Sequence, residues 1–197
     1  MPAAPKLKLS YAAYAKREGA SDTKHEFFNG EIFAMTGGSI AHGRLGTRVR
    51  DAIKASLPRG CGCVVEGPDI RVRTPSGKGT YPDGFVVCGK LETDTEDPES
   101  VTNPILIVEV LSESTEAYDR GKKFDHYRSL ASLEEYVLVS YQDPLIESHV
   151  RNPDGTWTTT YAGRDETLHL RSIGARVEVN AMYEGMTQSD GVMRVTE

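Results

Sequence analysis

Residues 103–127 read NPILIVEVLSESTEAYDRGKKFDHY, and the fold turns on how this stretch divides. Its first part, from Ile105 to Leu111, is apolar and largely β-branched except at Glu109. Such a run predicts a strand buried on both faces. The second part predicts a helix over about residues 115–131. Phe124, Tyr127 and Leu130 form an apolar stripe that should dock on the sheet, while Asp119, Lys123 and Tyr127 share one face at four-residue spacing. An unpaired carboxylate at Glu109 would cost several kcal/mol. Three arrangements avoid that cost: Glu109 is protonated, a cation stands beside it, or its side of the strand opens onto a polar pocket.

The flanking sequence extends the pattern. YAAYAKREG (residues 11–19) predicts a short helix capped by Ser10 and stopped by Gly19. KHEFFNGEIFAM (24–35) predicts a hairpin turning at Asn29-Gly30. After TGGS, with Ser39 as N-cap, Leu45, Val49, Ile53 and Leu57 mark a helix, and Arg44, Arg48 and Lys54 lie off its stripe. CVVEG, DIRVRT and YPDGFVVCG predict three strands, with PSGKG as a turn before the last. EEYVLVSY (134–141) is another strand, and LIESHVRNPDGTWTTTY (145–161) a hairpin turning at residues 152–155, with Trp157 packing across it. The tail from Leu168 to Met186 reads as a strand and a short helical end. The class is mixed α/β (α+β), as one domain over residues 1–197 with a core at about 10–142 and a C-terminal hairpin and tail at 143–197.

Composition narrows the function. The chain has 197 residues, a formal charge of −6 and 38% hydrophobic residues. A tight, nonspecific nucleic-acid binder displays a basic surface, because phosphate neutralisation supplies most of that affinity. Any nucleic-acid role here needs a local basic patch, for which Arg44 and Arg48 are candidates, or a transient catalytic contact. Part of the acid excess lies in KLETDTEDPES (90–100), which reads as a solvated loop. No apolar stretch is long enough to span a membrane, and the N-terminal residues lack the core of a secretory signal. Cys61, Cys63 and Cys88 are an odd set and read as buried strand thiols, pointing to a reduced, cytoplasmic protein. Their one-residue spacing does not suit zinc.

Two acids break apolar strands: Asp83, after Pro82, and Glu109. On neighbouring strands, their carboxylates could converge on one Mg²⁺, a hard ion that takes one or two carboxylates and keeps waters for a phosphate. The plainer readings are a turn aspartate after proline and a salt bridge from Glu109 to a buried lysine or arginine. For the helix residues the plain reading is a solvated Asp119–Lys123 pair.

The ordered pieces HEFFNGEIFAM, AHGRL, YPDGFVVCG, LIVEVLSEST, DRGKKFDHY and LEEYVLVS resemble the PD-(D/E)XK nuclease superfamily. Within it they are most similar to the bacterial Uma-two family of restriction endonucleases, over about residues 10–142. The resemblance implies a restriction-endonuclease-like core: a central mixed sheet flanked by helices, with N-terminal and C-terminal β-hairpins. It implies Asp83 and Glu109 as metal ligands, with Glu26 at an additional N-terminal acidic position completing the metal shell directly, through water or at a second metal. The superfamily lysine two residues after the second acid is here Leu111. In this branch it is displaced to the next helix, where Lys123 matches and Lys122 is its neighbour. Asp119 and Tyr127 would position that lysine, and His42 could touch phosphate.

The implied activity is Mg- or Mn-dependent hydrolysis of DNA, bound transiently by a homodimer. The rival reading is a nuclease-derived binding or scaffolding module without catalysis. Glycoside hydrolysis by paired carboxylates is disfavoured, because little besides Tyr81 and Phe85 offers aromatic flanking.

Overall fold

The computed structural model describes residues 8–35, 37–189 and 192–195. Thr36 of the TGGS segment and the N-terminal residues read against a secretory signal lie outside them. The first helix is α1 (Tyr11–Glu18), whose capping Ser10 side chain accepts from the Ala13 N–H. The hairpin of β1 (His25–Phe28) and β2 (Glu31–Ala34) pairs Phe28 with Glu31. Its two turn residues have φ of 52° at Asn29 and 86° at Gly30, the left-handed pair that a tight hairpin turn requires. Helix α2 (Ile40–Ser56) begins at Ser39, whose hydroxyl accepts from the His42 N–H, and buries Leu45, Val49 and Ile53.

The strands that follow are β3 (Cys63–Glu66), β4 (Arg71–Arg73), β5 (Gly79–Thr80), β6 (Gly84–Cys88), β7 (Ser100–Val101) and β8 (Leu106–Val110). Two short helices, α3 (Glu116–Tyr118) and α4 (Phe124–Arg128), flank a π-helical turn, Asp119–Lys123. Next come β9 (Glu135–Val139), β10 (Leu145–Arg151), β11 (Trp157–Gly163), β12 (Thr167–Leu170) and β13 (Ala175–Glu178). Helix α5 (Val179–Met182) and the hairpin of β14 (Met186–Ser189) and β15 (Val192–Val195) complete the described chain.

The central sheet has six strands in the order β11-β10-β9-β8-β6-β3, with β8 and β9 parallel and their neighbours antiparallel. A five-stranded sheet, β2-β1-β5-β4-β7, lies apart from it in pairing. The period of two along β8 sends Leu106, Val108 and Val110 into a core with Leu45, Val49 and Ile53 of α2. Ile107 and Leu111 go to the other face, with Phe85, Tyr136, Phe124, Tyr127 and Leu130. Glu109 belongs to this second face, beneath the π-turn and α4. The expected mixed sheet flanked by helices, with a hairpin at each end, is what the chain forms.

Four local expectations change. The helix drawn over 115–131 is broken by the π-turn and ends at Arg128; the wider turn leaves both Asp119 and Lys123 facing the sheet and buried. The PSGKG turn leads into β5, and its Lys78 is buried. The acidic loop is not wholly solvated, because Asp97 is buried against Arg71. The tail from Leu168 to Met186 holds a second strand, β13, before its short helix, because antiparallel pairing with β12 satisfies its backbone, and the β14–β15 pair follows from Met186 onward.

The cysteines also differ from the expected thiols. Cys63 and Cys88 are direct partners in the β3–β6 register and form a disulfide, leaving Cys61 free. Sequence order hid this pairing, which sheet register creates. Alkylation of the unfolded, unreduced chain is expected to label Cys61 alone, and all three cysteines after reduction. Three labels without reductant would mean the thiols stay reduced.

Candidate active site

Strand pairing builds the site. Gly84 of β6 pairs with Val108 of β8, which sets Asp83 beside Glu109 at the strand ends. The Val110 N–H donates to Asp83 Oδ2 at 2.7 Å, and His42 Nε2 stands 3.5 Å from the same oxygen. His42 Nε2 also donates to the Val110 carbonyl at 3.0 Å, so the histidine bridges both strands. Arg50 of α2 donates to the Asp83 carbonyl at 2.7 Å.

Glu109 is 3% exposed. Its Oε1 accepts from the Tyr127 hydroxyl at 2.7 Å and meets Lys123 Nζ at 2.7 Å. Lys123 also lies 3.3 Å from Asp119 Oδ1 and 3.9 Å from Glu26 Oε1. Lys122 is exposed, so the buried ammonium comes from Lys123. Glu26 on β1 is clamped by the Lys78 ammonium, 2.6 Å from Oε2, and by the Thr80 hydroxyl on Oε1. Tyr136 donates to the Asp119 carbonyl at 3.0 Å and pins the π-turn to β9. The structure thus brings Asp83, Glu109, Lys123, Glu26, Asp119, Tyr127 and His42 together. Two of the three arrangements meet at Glu109: the Lys123 ammonium stands beside it, as in the buried salt bridge of the plainer reading, and burial raises its carboxyl so that it also holds a proton.

Charge balance tunes these groups. Four carboxyl groups, Glu26, Asp83, Glu109 and Asp119, face two ammonium groups and one imidazole. Burial pushes Glu109 up to about 8; the Lys123 ammonium opposes this, and the charges of Asp119 and Asp83 add to it. Burial works against the Lys123 ammonium, but Glu109, Asp119 and Glu26 hold its pKa well above the ordinary value. Asp83 stays below the carboxylate range because its bond to His42, the nearby cations and the Val110 N–H outweigh burial. Glu26 is held low the same way by Lys123, Lys78 and Thr80. The bond to Asp83 raises His42 against burial.

Protonated Glu109 therefore makes stability depend on pH. The folded chain keeps this proton up to about pH 8, whereas the unfolded carboxyl releases it near 4.5. The contribution is complete below 4.5 and disappears as pH rises through 8. With divalent ions chelated, Glu109→Gln is expected to remove this dependence. Between pH 5 and 8.5 the native chain should lose a few kcal/mol relative to the variant in urea unfolding. Parallel stability curves would contradict the raised carboxyl.

The residues suit a hard divalent cation in chemistry, offering oxygen donors where negative charge is in excess. Among the described residues, no group of three His, Cys, Asp or Glu is arranged as a ready metal cage. Two carboxylates suffice for Mg²⁺, which retains waters.

Lys78, Thr80 and Arg50 escaped the sequence reading. Lys78 sits in a glycine turn with no periodic signal, and only the β1–β5 pairing, Phe27 opposite Gly79, carries it to Glu26. Of the other helix cations, Arg44 is exposed and Arg48 pairs with Glu184 at 3.3 Å. Glu31 and Glu113 are surface residues.

A family model described as "Putative restriction endonuclease" (Uma2) matches residues 11–180. The chain belongs to the Uma2 family. The uncharacterized protein slr1290 of Synechocystis is 37% identical over 94% of this chain and 96% of that protein. A second Synechocystis protein, sll1609, also uncharacterized, is 31% identical over 77% and 86%. A crystal structure of a putative nuclease belonging to DUF820, from Anabaena variabilis, matches with a TM-score of 0.65 at 12% identity. It covers 82% of this chain and 90% of that one, and shows the shared fold. The Uma2 assignment and this likeness make the chain a nuclease-type protein of the restriction-endonuclease-like fold. Among the described residues, no helix is long and apolar enough to cross a membrane.

Proposed function

We propose that this Uma2 protein is an endonuclease hydrolysing DNA phosphodiester bonds, with Mg²⁺ or Mn²⁺ held by Asp83 and Glu109. The supporting observation is the convergence of those acids with Lys123, whose ammonium is 2.7 Å from Glu109. The ion, when bound, polarises the scissile phosphate and lowers the pKa of an attacking water. Its charge would also bring Glu109 to the ionised form. Lys123 would then hold a phosphoryl oxygen or orient the water, as a compact cation suits either role. Tyr127 and Asp119 position Lys123 and Glu109, and His42 positions Asp83. Glu26, fixed by Lys78 and Thr80, completes the polar surround. A homodimer would supply the two centres that duplex cleavage needs.

The same lysine favours a second reading. An internal ammonium already balances Glu109, as in a nuclease-derived binding module that has lost its metal. Two measurements on the native chain separate these readings: calorimetric titration with Mn²⁺, and nicking of supercoiled plasmid with Mg²⁺ or Mn²⁺ against a chelator control. Ion binding plus chelator-sensitive nicking supports the enzyme. DNA binding with neither supports the module.

A further inference from the structure

A cavity of about 840 Å³ adjoins the acidic cluster without enclosing Asp83 or Glu109. His42 is the common wall, contacting Asp83 on one side and lining the cavity on the other. The remaining walls are chiefly apolar: Leu45 from α2, Leu111 just beyond β8, Tyr141, and Met186 and Met193 from the last hairpin. Ser39, Ser112, Ser114, Arg194 and the acidic Glu113 add polar groups to this lining. That volume, with an apolar interior and a few polar groups, is typical of small-molecule sites rather than of packing defects.

The charge of the chain says what such a site would contribute. At −6, it has no excess of basic residues with which to hold a polyphosphate by counterion release. With phosphate contacts limited to local cations such as the exposed Arg44, burying bases adds affinity for a nucleic-acid strand that every base can supply.

Resting on the nuclease reading above, we propose that this cavity receives a nucleobase adjoining the phosphate presented to Asp83 and Glu109. In a duplex that base must first leave the stack, so single strands and unpaired positions bind more tightly than paired ones. Tyr141 and the two methionines supply a polarisable lining for a planar ring. Ser112 and Ser114 offer hydrogen bonds that do not favour one base strongly.

The test compares two fluorescein-labelled strands of equal length, oligothymidylate and its fully abasic analogue, binding to the native chain with Ca²⁺ in place of Mg²⁺. Both carry the same phosphates, so only base burial distinguishes them. The thymidylate strand is expected to bind at least about tenfold more tightly. Ser114→Trp at the exposed rim and Ala41→Trp on the wall should each abolish that difference, and either variant suffices if the other misfolds. Equal affinities for the native chain would overturn the base pocket while leaving the nuclease reading intact. A preference surviving both substitutions would also overturn it, by placing the base contacts elsewhere. Failure to bind either strand, with no plasmid nicking, would remove the nuclease reading and the pocket with it.

Discussion

Lys123→Met is expected to lower the unfolding free energy by about 3–5 kcal/mol at pH 8, and to abolish any nicking by the native chain. The ammonium it removes lies 2.7 Å from Glu109 and 3.3 Å from Asp119, both almost fully buried. Deleting one partner of a buried ion pair leaves the other uncompensated, which costs far more than the pair contributes when intact. The penalty should shrink towards pH 5, where the raised Glu109 carboxyl is protonated and leaves no charge to compensate. Lys123→Arg separates folding from chemistry. It keeps the charge and so most of the stability, but the planar guanidinium cannot replace a compact ammonium at a phosphoryl oxygen. Nicking should fall by about a hundredfold or more in this variant. Native-like nicking by the methionine variant would show that Lys123 serves the fold alone.

The second large effect lies away from the acidic cluster. Arg71→Met is expected to destabilise the chain by about 3–5 kcal/mol at neutral pH. Arg71 grips Asp97 through two bonds, Nε to Oδ2 at 2.9 Å and a terminal nitrogen to Oδ1 at 2.8 Å. It also donates to the Tyr81 hydroxyl at 3.0 Å. Burial would raise the Asp97 carboxyl, but Arg71 and Ser100 hold it below its ordinary value. A depressed carboxyl adds stability above its unfolded pKa and loses it as pH falls through the folded one. The penalty of Arg71→Met should therefore be greatest near neutrality and smallest near pH 3, in urea unfolding across pH. Asp97→Leu added to Arg71→Met should recover much of the loss, since an apolar pair leaves no buried charge. A double variant as unstable as the single one would place the damage in lost packing of Arg71.

How much of this was legible depends on the range of the interaction. Asn29-Gly30 announced its turn because two consecutive left-handed φ values admit few other residues. Ser10 and Ser39 announced their helices because a hydroxyl there satisfies an N–H that the helix cannot. Glu109 stood out because a carboxylate in an apolar run has no local partner, and that anomaly led to the cluster around it. Four-residue spacing put Asp119 and Lys123 together, and the π-turn kept them so by a geometry that spacing alone did not specify.

Lys78 had no such signal. A lysine between two glycines reads as a solvated turn, and only the pairing of β5 with β1 places it against Glu26. Asp97 looked like one more charge in an acidic loop until Arg71 was found opposite. Cys63 and Cys88, twenty-five residues apart, became partners through strand register.

By itself, then, the sequence determined the hydrophobic periods, the turns and caps, and the identity of the misplaced acid. These depend on residues within a turn or two of one another. Tertiary structure alone decided which cation meets which carboxylate, which thiols pair, and that a cavity opens behind His42. Each of these depends on strands and helices distant in the chain being packed side by side, and local propensity carries no record of such neighbours.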